Sequence, residues 1–249
     1  MIKVDPGQYH KYIPWAERCT SNRVYPLSIA EGRQSGEIYA DRPGNAELVL
    51  FWHCCGFAYL SGTVSDRVME ETASEICQRS ERRMVLITDC AEAVQWLSEK
   101  QIETGKRIEY AYAGSGLSEA VSPGIGIERI GEDNIDRITG RIVPAFSWEK
   151  ERFLRGGFGY AAFDGGEYCG VAFSAAVSSD EVDIGVEVRP GYRGRGIATA
   201  LVQTICSEIL SQGKKPVWAH SAQNLGSMRT AEKCGFVQSK INDYFILKR

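Results

Sequence analysis

The sequence lacks the features that mark several large classes of protein. It has no basic surplus to neutralise nucleic-acid phosphates, since 29 Lys and Arg stand against 32 Asp and Glu for a net charge of −3. No apolar run approaches the roughly 20 residues that a membrane-spanning helix needs. Residues 1–10 carry neither a basic flank nor an apolar stretch, so no secretory signal is expected there. We therefore expect no nucleic-acid partner and no membrane partner.

The eight cysteines are dispersed and include no CxxC pair, which argues against a zinc knuckle and against a disulfide scaffold. Cys54 and Cys55 are adjacent, a spacing that does not favour a disulfide between them. His53 beside them could form a Cys–His pair, but no third group that would orient the imidazole is evident, and strand packing is the simpler interpretation. Because such thiols usually serve as small buried apolar groups, the sequence predicts a reduced, cytoplasmic protein without a metal site.

Strand and helix patterns alternate along the 249 residues, which predicts the α/β class. An N-terminal α/β domain is expected over residues 1–120 and a second domain over 127–249, because the Gly-, Ser- and Pro-rich segment 114–126 is typical of a linker. A surface loop within one domain is the alternative for that segment. In the first half, the patterns predict strands over 47–51, 57–60, 84–88 and 107–112, and helices over 65–80 and 91–100.

The second half has the clearer periodicities. Apolar residues alternate with polar residues or glycine over 182–188, which predicts a strand, and an apolar residue at every fourth position from Ile197 predicts a helix that ends at Gly213. Ser147 is the expected N-cap of a further helix. The other predicted elements are strands over 127–130, 160–163, 168–173, 215–220 and 244–247, and helices over 133–139, 147–154 and 225–234.

The junction between the strand at 182–188 and the following helix carries the most specific signal. A Gly-rich turn leads into the helix, whose first backbone N–H groups lack intrahelical acceptors and lie at the positive end of the helix dipole. Gly194 and Gly196 leave room for a ligand to approach the main chain. The arrangement predicts a cradle for an anion such as a pyrophosphate, and a tight turn without a ligand is the alternative.

Two common phosphate-binding motifs do not fit. The dinucleotide fingerprint would need a third glycine where Thr199 stands. Neither Gly105-Lys106 nor Gly213-Lys214 has the spacing of a P-loop. The sequence therefore gives no support to hydride transfer or to nucleotide hydrolysis.

The junction resembles motif A of the GCN5-related N-acetyltransferases, Arg/Gln-x-x-Gly-x-Gly/Ala, with Arg193, Gly196 and Ala198 at the three defining positions. Asn224, followed by Ala-Glu-Lys-Cys-Gly-Phe at 231–236, is similar to the last-helix motif of that family. The resemblance extends from about residue 127 to the end and implies the family's mixed, mostly antiparallel sheet flanked by helices. Within the family, the second motif is most similar to a bacterial branch that includes zwittermicin-type self-resistance acetyltransferases.

The resemblance implies acetyl-CoA as the cofactor. The backbone of the strand would pair with the pantetheine arm, the amides at the helix start would hold the pyrophosphate, and Asn224 would bind the cofactor or an associated water. The residues implied to contact the cofactor are Val186, Glu187, Val188, Arg193, Gly194, Arg195, Gly196, Ile197, Ala198, Thr199, Asn224 and Ser227.

Acetyl transfer to an amine requires a base, because an alkyl amine with a pKa near about 10 is protonated at neutral pH. Glu187 is the first candidate, with a structural ion pair as its alternative, and His220 is the second, with a hydrogen-bonded strand-end histidine as its alternative. Ala231 stands where many family members carry a tyrosine acid. Tyr244 or solvent is left to protonate the departing thiolate.

The predicted function is therefore acetyl-CoA-dependent N-acetyl transfer to the primary amine of a small molecule, by direct attack on the thioester. A catalytically silent acyl-CoA-binding module, which Ala231 would permit, and a protein N-acetyltransferase are the alternatives.

Residues 1–120 are expected to be a degenerate copy of the same fold, without the cradle at 60–63, that builds one wall of the acceptor pocket. A homodimer is left open as the assembly.

Overall fold

The computed structural model describes residues 1–42, 44–71, 84–88, 90–114 and 121–247. The chain divides into two compact units, unit 1 (Met1–Ile108 with Lys240–Arg249) and unit 2 (Glu109–Ser239). The predicted pair of domains, 1–120 and 127–249, stays a prediction, and residues 115–120 of the predicted linker lie outside the described residues. None of the helices in the described ranges combines the length and the apolar content that crossing a bilayer requires.

Unit 1 is built on a mixed sheet. Its strands β1 to β4 are antiparallel neighbours in chain order, β5 is parallel to β4, and the last strand, β12, is antiparallel to β5. Residues 66–71 are helical as predicted, whereas 72–80 of that predicted helix lie outside the described residues. The elements of this unit are β1 (Ile2–Lys3), α1 (Ile13–Glu17), α2 (Val24–Ala30), β2 (Gly36–Ala40), β3 (Leu48–His53), β4 (Phe57–Gly62), β5 (Met84–Thr88), α3 (Ala91–Glu99), and parts of β6 (Glu103–Tyr112) and β12 (Phe236–Leu247).

The core of unit 1 centres on β3, in which all six residues are buried. A strand that is covered on both faces needs a continuous apolar run rather than alternation, and the sequence Leu-Val-Leu-Phe-Trp over 48–52 supplies one. Leu50 and Trp52 pack with Phe245 from β12 and Leu97 from α3 in one cluster. The helix on this side therefore covers the sheet through its apolar stripe.

Unit 2 repeats the strand arrangement of unit 1. Strands β7 to β10 are antiparallel neighbours in chain order, and β11 is parallel to β10. Helix α5 packs on this sheet through the predicted apolar stripe, in which Ile197, Leu201, Ile205 and Ile209 are all buried. The elements are β7 (Ile125–Arg129), α4 (Lys150–Gly156), β8 (Gly159–Asp164), β9 (Glu167–Val177), β10 (Glu181–Val188), α5 (Ile197–Ser211), β11 (Lys215–Ser221) and α6 (Leu225–Lys233).

Of the predicted elements whose bounds differ from the structure, three have an evident local cause. Helix α4 begins after Glu149, not at Ser147, because the amide of Ser147 is held by the carbonyl of Pro144 in a preceding 3₁₀ turn, at 3.1 Å. The predicted helix at 133–139 is only a 3₁₀ turn, where Asn134 competes by bonding its side chain to the backbone of its neighbours. The last strand begins at residue 236 rather than 244, because its first half is mostly exposed and has little apolar signal.

Candidate functional site

Strands β10 and β11 pair only at their beginnings. Of their residues, all of which the structure describes, 181–183 pair with 215–217, and the register ends there. The rest of β10, 184–188, therefore has no ladder with β11. A strand edge that is opened in this way offers main-chain N–H and C=O groups to a ligand that can bind as an added strand.

The direction of the amides on β10 follows from its other neighbour. The N–H of Arg189, just beyond the strand, donates to the carbonyl of Cys169 on the β9 side, at 2.9 Å. Because alternate residues of an antiparallel strand bond to the same neighbour, Val186 and Val188 direct their polar groups away from β9. The carbonyl of Val188 accordingly accepts from Nε of Arg193, at 3.3 Å, on the open side.

A bulge marks the place where β10 and β11 separate. Asp183 pairs with Ala176 but the next residue, Ile184, pairs with Ser174, so that Ala175 of β9 is an extra residue. A bulge bends a strand and increases its twist. The pairing with β11 ends at the same residue, Asp183, so the two irregularities of β10 lie side by side.

The turn that follows β10 has the backbone expected of an anion cradle. Gly194 and Gly196 have φ values of +78° and +76°, a conformation that residues other than glycine rarely adopt. Gly196 caps α5, and the first bond of the helix runs from the amide of Ala200 to its carbonyl, at 3.1 Å. The amides of 197–199 precede that bond and lie at the positive end of a 15-residue helix.

Two exposed arginines flank the cradle. Arg193 bonds to the backbone of β10 as described, and Arg195 lies 3.5 Å from the carboxylate of Asp164 with its guanidinium 5.0 Å from the ring centre of Tyr192. The Arg195 side chain keeps 45% of its surface exposed. Both charges are therefore available to an anionic ligand at the helix start.

Glu187 is held by the backbone of a distant loop. Its Oε2 accepts the amide of Ile142 at 2.7 Å, and its Oε1 accepts the amide of Arg141 at 3.2 Å. Gly140 lies against the same carboxylate, and an added Cβ there would collide with Oε1. These contacts fix the carboxylate in one orientation and leave lone pairs for a further donor.

Tyr168 is a residue of this region that the sequence analysis missed. Burial raises the pKa of Tyr168, and the nearby charge of Glu187 raises it further. Its hydroxyl is buried and makes no hydrogen bond within the described part of the chain. No sequence signal marks it, because a tyrosine next to a hairpin turn is an ordinary strand residue.

His220 lies near the end of β11 and is only 4% exposed. Its Nδ1 is 2.8 Å from the carbonyl of Ser221, which can only accept, so Nδ1 carries a proton and the neutral ring has its lone pair on Nε2. The ring stacks on Tyr110 at 5.2 Å between centres. His220 lies three residues beyond Val217, the last residue of β11 that pairs with β10.

Tyr244 belongs to unit 1. It pairs with Ile87, its carbonyl accepts the hydroxyl of Thr104 at 3.0 Å, and its own hydroxyl lies against Gly105. Glu187 and His220 belong to unit 2. The role of Tyr244 as an acid stays a prediction.

The start of α6 is organised by two side chains. Asn224 caps the helix by accepting the amide of Ser227 at 3.1 Å. The hydroxyl of Ser227 in turn accepts the indole N–H of Trp218 at 3.0 Å. Ala231, at the position of the family's tyrosine, is fully buried, so a methyl group in the core replaces the phenol.

Residues 20–245 match a family model described as GNAT acetyltransferase. No curated protein matches the chain. Among solved structures, the chain is similar to a GCN5-related N-acetyltransferase-like protein from Streptococcus suis 89/1591, with 20% identity, a TM-score of 0.75, and coverage of 97% of this chain and 100% of that one.

Two further structures cover nearly the whole chain. An acetyltransferase of the GNAT family from Colwellia psychrerythraea is 13% identical, with a TM-score of 0.59 and coverage of 99% and 98%. A tandem GNAT protein from the clavulanic acid biosynthesis pathway, solved without AcCoA, is 9% identical, with a TM-score of 0.65 and coverage of 98% and 96%. At these identities the likeness shows the fold, and the predicted α/β class with a GNAT fold is confirmed.

Proposed function

Because the chain belongs to the GNAT acetyltransferase family, we propose that it transfers the acetyl group of acetyl-CoA to the primary amine of a small molecule, by direct attack on the thioester. The observation that carries the proposal is the combination, within unit 2, of an opened β10 edge and a glycine-capped helix start directly after it. The first feature fits an amide-rich arm, and the second fits a pyrophosphate. Acetyl-CoA contains both groups and supplies the activated acetyl thioester.

In this proposal, different residues of unit 2 bind different parts of acetyl-CoA. The amides of 197–199, together with Arg193 and Arg195, hold the pyrophosphate. Val186 and Val188 present their main-chain groups to the pantetheine arm, since both face away from β9. Asn224 and Ser227, at the start of α6, stay in the proposed set of cofactor contacts.

Catalysis requires one proton to leave the amine and one to reach the thiolate. We assign the first transfer to Glu187, whose carboxylate is fixed by two backbone amides and can accept a hydrogen bond from an ammonium group. The amide of Val188 donates to the thioester carbonyl as charge develops on its oxygen. With alanine at 231, Tyr244 and solvent remain the two sources for the thiolate's proton.

One observation favours a second candidate function. The buried methyl of Ala231 removes the usual acid, as expected of an acyl-CoA-binding module without turnover.

The reduced thiols of the seven described cysteines support the proposed cytoplasmic compartment. The branch that includes zwittermicin-type resistance acetyltransferases stays the proposed place within the family, on the pattern from Pro216 to Phe236.

Calorimetry with acetyl-CoA, followed by measurement of thiol release on panels of small amines, tests the proposal. We expect binding, and thiol release with at least one class of small primary amine. Binding without turnover on small amines or peptides would establish the silent module instead. Turnover only on peptides or proteins would establish a protein N-acetyltransferase, and absence of binding would overturn all three functions.

A further inference from the structure

The turn between β3 and β4, in unit 1, brings two thiols to one imidazole. Cys54 and Cys55 are the central residues of a turn that is closed by a bond from the amide of Gly56 to the carbonyl of His53, at 2.9 Å. Nδ1 of His53 lies 3.1 Å from Sγ of Cys55 and 3.6 Å from Sγ of Cys54. Nothing in the acetyl-transfer proposal uses these three residues.

The protonation state of His53 follows from a second contact. The backbone N–H of Cys55 donates to the same Nδ1, at 3.2 Å. A nitrogen that accepts from an N–H group carries no proton of its own, so Nδ1 is the basic nitrogen of the ring, and it gives up the bond from the Cys55 amide when it takes the proton of the Cys55 thiol. This contact is not visible in the sequence, since it depends on how the turn folds back on the ring.

The imidazole is held in place. His53 is fully buried, and the ring of Tyr25 packs edge-on against it, at 5.1 Å between centres and an interplanar angle of 88°. Tyr25 thus supplies the orientation that the sequence analysis could not find. A fixed acceptor loses little conformational entropy when it binds a proton from its neighbour.

The two cysteines of the turn differ from His53 in their exposure to solvent. Cys54 and Cys55 are partly exposed, in contrast to His53. A partly exposed cysteine whose thiol lies beside a proton acceptor is in the environment of a reactive cysteine. The described residues form no group of three or more potential ligands arranged to hold a metal ion. We therefore assign thiol chemistry, rather than metal binding, to His53, Cys54 and Cys55.

We propose that Cys55 is a modification site that forms a mixed disulfide with low-molecular-weight disulfides. The thiol proton moves to Nδ1 of His53, and the Cys55 thiolate attacks one sulfur of the disulfide R–S–S–R. The S–S bond of the reagent breaks, a new bond joins Cys55 to one RS group, and the other leaves as R–SH with that proton. The sulfur of Cys55 is oxidised and the leaving sulfur is reduced, so the exchange needs no other oxidant.

Cys90 provides an internal control. It is also partly exposed, but its thiol donates to the carboxylate of Glu92 at 3.1 Å, and burial together with that hydrogen bond raises the pKa of Cys90. The full-length reduced protein would be treated with oxidised glutathione, and the adduct at each cysteine followed by peptide mass spectrometry. At pH 7 we expect Cys55 to react at least about tenfold faster than Cys90, with a larger ratio at pH 6. Equal rates, or an adduct on Cys54 in place of Cys55, would overturn the assignment.

Two variants distinguish the effect of the His53 imidazole on the Cys55 rate from the effect of the Cys54 thiol. His53→Asn keeps an acceptor for the Cys55 amide but cannot take a proton, and we expect the Cys55 rate to fall about tenfold while the Cys90 rate is unchanged. Cys54→Ser, the matched control, should leave the Cys55 rate within about twofold. An unchanged Cys55 rate in His53→Asn overturns the proposal. If that variant unfolds, shown by a faster reaction at Cys90, the comparison of Cys55 with Cys90 at pH 6 and pH 7 in the natural sequence decides the matter.

Discussion

The carboxylate of Glu187 accepts the backbone amide of Ile142 at 2.7 Å, although the two residues are 45 positions apart in the chain. A second amide, that of Arg141, binds the other oxygen. Glu187 is therefore a positioned group as well as a candidate base. The two roles make different demands, because the first needs only hydrogen-bond acceptors and the second needs a group that takes a proton.

Glu187→Gln separates these roles. Glutamine keeps one acceptor for the loop amides but does not take a proton from an amine, so we expect kcat to fall at least about 100-fold while the Kd of acetyl-CoA changes less than about threefold. Glu181→Gln, earlier on the same strand and on the same sheet face, should retain activity. Steady-state kinetics and calorimetry measure the two effects. If His220→Asn loses turnover and Glu187→Gln does not, the base is His220.

Gly196→Glu tests the anion cradle. A side chain there is strained at φ +76° and its carboxylate repels a pyrophosphate, so we expect affinity for acetyl-CoA to fall at least about tenfold. Gly213→Glu is the control, because Gly213 has a φ of +71° at the opposite end of α5 with open space around it. Both variants should lose similar stability, about 1–2 kcal/mol, and only the first should lose binding. If calorimetry gives Gly196→Glu and Gly213→Glu the same affinity for acetyl-CoA, the glycine turn is not part of the binding site.

Ser227→Ala tests the support beneath α6. The change leaves the indole N–H of Trp218 without its acceptor in a site where the ring is 2% exposed, so we expect the free energy of unfolding to fall by about 1–2 kcal/mol. Urea denaturation measures the loss. Ser207→Ala, which removes a hydroxyl from an exposed position on α5, should change stability by no more than about 0.5 kcal/mol. Equal losses in both variants would show that the Trp218–Ser227 bond contributes nothing of its own.

Asp41 makes the stability of the β2–β3 connection dependent on pH. Burial alone would raise its pKa, but the amides of Leu48 and Glu47, together with the backbone and side chain of Arg42, outweigh burial and hold the pKa of Asp41 below its usual 3.8. The contribution is therefore complete above about pH 5 and is lost as the pH falls through the lowered folded-state value.

Asp41→Asn should accordingly be less stable than the natural sequence at pH 7, and the difference should shrink below about pH 4. Urea denaturation at several pH values measures it. A difference that stays constant down to pH 3 contradicts the assigned pKa shift.

The local elements of unit 2 were predictable because their causes are local. The alternation over β10, the apolar stripe of α5 from Ile197, and the glycine turn between them each depend on neighbouring residues. The helix predicted from Ser147 was wrong because a 3₁₀ turn from Pro144 already uses its backbone. The first half of β12 was missed because few of its side chains are buried.

The sequence by itself determined the α/β class and the position of the glycine turn before α5, since hydrophobic period and glycine conformation act within a few residues. The tertiary structure decided which groups meet across long separations. The pairing of β10 with β11 ends beside the position of an extra residue in β9, and the orientation of Glu187 depends on amides 45 and 46 positions away. The Cys55–His53 contact is close in sequence, yet it too required the fold, because Tyr25 fixes the ring and only the turn directs both thiols to one nitrogen.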